Sequence, residues 1–354
     1  MIFNRLKMSL QIINIIGKGK FGTIYKVKNE KGKELVFKSV PADKLKYIEL
    51  DILTRLNSPY LIKCTQPFIT TIENKKGFTQ ELKENNLTQL NVRKIPYAQF
   101  KRIILSCIYG LQCMNSKNFL HLDLSRKNIL YDVDKRGNYT AYLADFGWSV
   151  RCENPYKGII STKVVKYKNT PYEILKQVSR HEKNKHYNDK SDVWSLGVVF
   201  LELLGSNFNL YDVGDYIKKL ETINEDFISS KLKLYNQNKF SKQEELYLKE
   251  LLVNMLKLDP VQRISSKDFG MLQYVASEKK MDKTCVINKP KELVVLPYVS
   301  NSTQQGIHML RSRYQHTSDK IKLEEYFLAV QNFLRLMAKT KNNLKENELY
   351  DMVV

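Results

Sequence analysis

His121-Leu122-Asp123-Leu124-Ser125-Arg126-Lys127-Asn128 runs into the apolar pair Ile129-Leu130, and Asp145-Phe146-Gly147 follows downstream. The order is H-x-D-x-x-x-x-N and then D-F-G. Two aspartates and an asparagine amide offer hard oxygen atoms within one short stretch; taken singly, Asp123 could cap a turn and Asp145 could end a strand. Just upstream, Phe100, Ile103, Ile104, Cys107, Ile108, Leu111 and Met114 recur at steps of three or four after Pro96, the apolar stripe of an amphipathic helix. Leu248, Leu251, Leu252, Met255 and Leu256 repeat that spacing. Ser191 to Leu204 is nearly apolar after Asp192, which predicts a helix buried all round. From Pro96 onward the chain reads as helical.

The residues before it read differently. Gln11 to Gly17, Thr23 to Lys28 and Lys33 to Val40 are short strand patterns, with a turn at Asn29-Glu30-Lys31-Gly32. Between the first two lies Ile16-Gly17-Lys18-Gly19-Lys20-Phe21-Gly22-Thr23-Ile24, whose glycines let backbone N–H groups approach phosphate oxygens. A dinucleotide-binding fold uses the same glycines but needs a helix directly afterwards, and here a strand follows. Leu35-Val36-Phe37-Lys38 then sets a lysine among apolar neighbours, suited to holding nucleotide phosphates as a point charge, whereas Lys33 sits in the turn and reads as solvated. A buried ammonium needs a partner, and Glu49, in the helical pattern Tyr47 to Leu53, fits that role, with Asp51 as the alternative.

Taken in order, the glycine loop, V-x-K, H-x-D-x-x-x-x-N and D-F-G resemble the eukaryotic protein kinase family over about residues 10–275. The resemblance implies an α+β, two-lobed protein kinase fold: a small β-rich N-lobe (1–83), a larger helical C-lobe (84–280), and a linker with a helical C-terminal extension (281–354). It implies ATP and Mg2+ as cofactors and a protein substrate. Asp123 would take up or orient the proton of the acceptor hydroxyl, Asn128 and Asp145 would hold magnesium, and Lys38 with Glu49 would complete the catalytic set. Ile16, Gly17, Lys18, Gly19, Lys20, Phe21, Gly22, Ile24 and Lys38 would cover the nucleotide. Glu81 and Lys83, in Phe78-Thr79-Gln80-Glu81-Leu82-Lys83, stand where the family's backbone meets adenine, although the polar run Lys83 to Asn86 departs from the family.

Other matches are structural. Thr170-Pro171-Tyr172-Glu173 resembles the A-P-E close of the activation segment with one residue inserted, and Arg263 matches the arginine that pairs with that glutamate. Asp192 matches the aspartate that braces the catalytic loop. Leu122 stands in place of the arginine that would grip an activation-segment phosphate, so modification of Ser161 or Thr162 lacks its usual anchor. Ser125 and Lys127 blur the choice between serine/threonine and tyrosine acceptors; Ser161 to Leu175 resembles the cyclin-dependent kinase branch, which favours serine/threonine. His181 and His186 are not at the i, i+4 spacing of a zinc-binding helix face.

Composition sets the frame. The chain has 354 residues, 43% hydrophobic and 27% charged, which excludes a wholly disordered chain, a collagen and a coiled-coil rod. The net charge of +21, from 58 Lys+Arg against 37 Asp+Glu, reads first as solvated lysines and only second as a nucleic-acid surface, because no arginine block interleaved with aromatics accompanies it. No stretch approaches the length of a membrane span and no signal peptide is visible, so an intracellular, soluble protein with no membrane partner is expected. The five cysteines are odd in number, widely spaced and without a C-x-x-C pair, and read as reduced thiols. In the tail, Gly306 to Arg311 and Glu324 to Ala338 weakly resemble two helices of a cyclin box, a regulatory element in cis; an amphipathic helix docked on the kinase lobe explains the same stripe and is preferred.

Overall fold

The computed structural model describes residues 10–19, 22–40, 47–65, 70–72, 75–161, 169–208, 212–236 and 240–287. These fall into two compact units, one of residues 10–47 and 65–80, the other of residues 48–64 and 81–287. Lys20, Phe21, Thr162 and the tail carrying the helical and cyclin-box readings lie outside the described residues.

The first unit is a five-stranded sheet of β1 (Leu10–Gly19), β2 (Gly22–Asn29), β3 (Glu34–Ser39), β5 (Thr70–Ile72) and β6 (Lys75–Glu81, ending in the second unit), ordered β1-β2-β3-β6-β5. β1, β2 and β3 are antiparallel neighbours, with Gly19 opposite Gly22 and Ile24 opposite Lys38. Register shifts between Ile12 and Asn14 and between Ile15 and Gly17 mark bulges that bend β1 as it enters the glycine loop. The β2–β3 turn is held by Asn29, whose Oδ1 accepts from the N–H groups of Lys31 (3.1 Å) and Lys33 (2.8 Å). Alternation puts Tyr25, Val27, Leu35, Phe37 and Ile72 into one apolar cluster, with Leu10 and Ile12 packed against it.

Two glycines are dictated by close approach. A Cβ on Gly77 would run into the carbonyl oxygen of Lys38 and the Phe37 ring. Gly22 has φ +154°, and a Cβ there would strike the carbonyl oxygen of Ser39. Gly22→Ala is therefore expected to destabilise the sheet by roughly 1–3 kcal/mol, read as a lower denaturant midpoint. An unchanged midpoint would contradict the packing.

The second unit opens with α1 (Tyr47–Arg55) and β4 (Leu56–Asn57), followed by β7 (Asn85–Asn86) and the twenty-residue α2 (Tyr97–Ser116). The stripe read on α2 is buried along its whole length. Next come β8 (Phe119–Leu120), β9 (Ile129–Val133), β10 (Tyr139–Leu143), β11 (Val150–Arg151) and β12 (Ile159–Ser161). The helical layer follows: α3 (Tyr172–Ser179), β13 (Lys185–Tyr187), α4 (Asp189–Leu203), α5 (Val213–Glu221), α6 (Glu225–Asn236), α7 (Lys242–Met255), the short α8 (Gln273–Ala276) and finally β14 (Val286–Ile287). α4 starts at a capping box, Asn188 Oδ1 accepting from Lys190 N–H (3.0 Å) while Ser191 Oγ accepts from Asn188 N–H (3.2 Å). Beyond this start it is buried on every side, as the apolar run predicts. Ser241 and Glu244 cap α7 in the same way.

The reading of all five cysteines as reduced thiols is corrected. Cys113 and Cys285 form a disulfide across 172 residues of sequence; Cys107 and Cys152 are buried thiols, and Cys64, half-buried, is likewise outside any disulfide. Sequence spacing could not reveal a pair brought together only by folding. Of the segment read as a linker after residue 280, the part up to Ile287 has Met281 buried and β14 paired with β4, while Asp282, Lys283, Thr284 and Val286 are exposed.

Candidate active site

The site in the second unit is built on two short loops whose stems are paired. β8 leads into the His121 loop, β11 leaves the Asp145 loop, and Leu120 sits opposite Val150. At the base, buried Asp192 in the first turn of α4 accepts from the N–H of His121 (2.7 Å, Oδ2) and of Leu122 (2.8 Å, Oδ1). Leu122 has φ 61°, left-handed backbone that costs an ordinary residue about 1–2 kcal/mol. Two charge-assisted bonds from one carboxylate offset that strain at the residue before Asp123. Burial pushes the Asp192 carboxyl above its ordinary range, while His121 and the two N–H donors pull the other way. Asp192→Asn keeps one acceptor and turns an NH2 toward the other N–H, so a loss of about 1.5–3 kcal/mol in denaturant stability is expected. A loss near zero would mean that Leu122 is held by other means.

His121, fully buried, joins the loops. Its Nδ1 accepts from the Asp123 N–H (3.3 Å), which leaves Nε2 to donate to the Ala144 carbonyl (3.1 Å), the residue before Asp145. Its ring lies 5.4 Å from that of Phe146, and Ser149 Oγ donates to its carbonyl (3.3 Å). Asn128 Nδ2 donates to both the carbonyl (2.7 Å) and Oδ2 (3.0 Å) of Asp123, and Ala144 N–H donates to the Asn128 carbonyl (2.9 Å). Asp145 is half-buried with φ 59° and ψ 68°, a second left-handed residue. Asp123 and Asn128 are thus held in one continuous set of hydrogen bonds that reaches Ala144, the residue before Asp145.

The remaining candidates are placed as follows. Lys38 is 6% exposed on β3 in the first unit, whereas Lys33 is exposed in its turn. Glu49 is 3% exposed in the first turn of α1; Asp51 pairs with Arg55 (3.3 Å). Ile16, Gly17, Lys18 and Gly19 close β1, and Gly22 and Ile24 open β2. The Lys83 ammonium is drawn away to Asp132 (2.6 Å), with Glu81 at 3.6 Å and the Tyr142 ring centroid at 4.2 Å. Burial alone would lower its pKa, but the hydrogen bond to Asp132, with Tyr142 and Glu81 beside it, carries it above the ordinary lysine value. The Glu81 N–H donates to the Lys63 carbonyl (3.0 Å). Sequence reading missed this knot, since nothing local links Lys83 to Asp132.

It also missed how the activation segment is seated. Leu122 packs on the cluster of Leu120, Cys152, Ile174 and Tyr187 together with Val150 and Ile159, and β12 pairs with β13 from Ile159 opposite Tyr187 to Ser161 opposite Lys185. The apolar pair Ile159-Ile160 was the available signal. At the segment's far end, Glu173 and Arg263 form a two-pronged pair at 2.9 and 2.8 Å.

Residues 10–278 match the protein kinase domain. The chain belongs to the protein kinase family. Among curated relatives of this kinase, the serine/threonine-protein kinase shk2 of Schizosaccharomyces pombe is 28% identical over 204 residues, 53% of this chain and 32% of that protein. The serine/threonine-protein kinase 10 of Danio rerio is 29% identical over 209 residues, 54% of this chain and 20% of that protein. The dual specificity testis-specific protein kinase 2 of Mus musculus is 26% identical over 266 residues, 72% of this chain and 43% of that protein. The kinase therefore spans less than half the length of these relatives.

Proposed function

We propose that this kinase transfers the γ-phosphate of ATP to serine and threonine hydroxyls of protein substrates. The observation that supports it most is the hydrogen-bonded group of Asp123 and Asn128, tied through Ala144 to Asp145. Asn128 spends its Nδ2 on Asp123, which leaves Oδ1 as its acceptor, and Asp145 adds a carboxylate; such oxygen donors fit magnesium, which takes one or two carboxylates plus phosphates and keeps several waters. Asn128 and Asp145 would hold it, and when bound it supplies positive charge at phosphate oxygens. Asp123 accepts or orients the hydroxyl proton. Lys38 and Glu49 keep the roles their sequence context suggests, as do the glycine-loop residues and the Glu81–Lys83 backbone.

The names of the relatives support a serine/threonine acceptor, with dual specificity as the second reading that Lys127 also favours. Labelled ATP, magnesium and a mixed protein acceptor, followed by phosphoamino-acid analysis, test this. Phosphoserine and phosphothreonine are expected, and a product dominated by phosphotyrosine would contradict it. The finer proposals rest on sequence alone: lobes at 1–83 and 84–280, an extension at 281–354, kinship of Ser161 to Leu175 with the cyclin-dependent branch, and a cyclin-like element in cis. No helix among the described residues is long and apolar enough to cross a membrane; an intracellular site of action is part of the same proposal.

A further inference from the structure

Directly past the residues that match the kinase domain, the chain turns back across the second unit. Met281 is 7% exposed, and the Lys283 ammonium lies 5.2 Å from the centroid of the Tyr109 ring on α2. Asp282 Oδ1 accepts from the Thr284 N–H (2.8 Å) and sets a turn that presents Cys285 to Cys113, with 5.4 Å between their Cα atoms, inside the usual disulfide range. Val286 and Ile287 then pair with Asn57 and Leu56, the residues that follow directly on α1 and its Glu49.

Beyond the burial of Met281, the non-covalent part of this attachment is slight. A cation–π contact at the surface is a weak interaction, and a two-residue strand on a two-residue partner is too short to hold by itself. The covalent bond is the strong element, and its two ends differ in access: Cys113 is 3% exposed, while Cys285 is half-buried. Thiol–disulfide exchange enters through the accessible sulfur.

We propose that Cys113 and Cys285 form a redox latch that fixes the strap 279–287 onto α2 and β4 when oxidised and releases it, together with the end of the Glu49 helix, when reduced. In opening, the thiolate of one reduced glutathione attacks Sγ of Cys285 and the Cys113–Cys285 bond breaks, with Cys113 leaving as a thiolate that takes up a proton. A second glutathione thiolate attacks the mixed disulfide, so that two protein thiols and one glutathione disulfide result. Closing is the reverse, with glutathione disulfide as the two-electron oxidant. Cys107 and Cys152 are bystanders: burial pushes the first thiol far up and the second to about 11, so neither offers much thiolate.

The test uses the full chain equilibrated in mixtures of reduced and oxidised glutathione, with thiols trapped by alkylation and located by peptide mass spectrometry, and amide hydrogen exchange recorded on the same samples. Cys113 and Cys285 are expected to change state together within the range of mixtures, and exchange in the peptides around 56–57 and 286–287 to rise at least tenfold on reduction. A pair that stays closed in the most reducing mixture, stays open in the most oxidising one, or opens without change in exchange would overturn the proposal. Cys285→Ser is expected to show the reduced exchange pattern in every mixture; exchange in those peptides that still follows the mixture would equally overturn it. The latch itself does not depend on the catalytic reading.

Discussion

Asp123→Asn is expected to lower phosphotransfer by about 10²–10⁴-fold, the usual contribution of a positioned proton acceptor. That is roughly 2.7–5.5 kcal/mol of barrier. The replacement is close in shape, and its amide oxygen can still accept from Asn128 Nδ2, which now donates to Asp123 Oδ2 at 3.0 Å. The backbone bonds of Asp123 to His121 and Asn128 do not involve the carboxylate. The loop should therefore keep its form, and the variant should still be stabilised by ATP with magnesium in thermal unfolding while turnover collapses. A variant that turns over at more than about a tenth of the wild-type rate would remove Asp123 from the chemistry. A variant that neither turns over nor responds to nucleotide would assign it to folding instead.

Arg263→Met is expected to cost about 3–5 kcal/mol, the loss seen when one member of a buried ion pair is removed. All five guanidinium N–H donors are used: Nε on the Lys257 carbonyl (3.0 Å), Nη1 on Glu173 Oε1 (2.9 Å) and the Lys190 carbonyl (3.0 Å), Nη2 on Glu173 Oε2 (2.8 Å) and the Leu258 carbonyl (3.2 Å). The cation also lies 4.7 Å from the Trp194 ring centroid. The arginine side chain has no exposure and that of Glu173 only 17%. Methionine fills the space but removes both guanidinium donors from the Glu173 carboxylate and one donor from each of three carbonyls. Arg263→Lys should recover little, because an ammonium has three donors and no planar fork. Denaturant titration reads both, and a loss under about 1 kcal/mol for methionine would show the pair to be energetically idle.

The closeness of Asp123 and Asn128, proposed to act in catalysis, was legible because it is local: the two stand within six residues and are hydrogen-bonded. The α2 stripe and the all-round burial of α4 were legible for a similar reason, periodicity being a local property. Glu173 was found through its motif despite the inserted residue, since α3 carries it to Arg263. The Cys113–Cys285 bond, the Lys83–Asp132 pair and the β12–β13 pairing left no such trace. Each joins residues whose nearness is a product of the fold, and each involves residue types common on any surface or in any core. Leu122 shows the boundary well. The missing arginine was visible, but the apolar cluster that takes its place required Ile159, Ile174 and Tyr187 to be seen together.

The most direct measurement is transfer of labelled γ-phosphate from ATP to a protein acceptor in magnesium, comparing wild type with Asp145→Asn. Wild type should label the acceptor, a chelator should abolish the signal, and the variant should fall to background with its fold intact. Equal labelling by both proteins, or none by a folded wild type that nucleotide does not stabilise, would contradict the account.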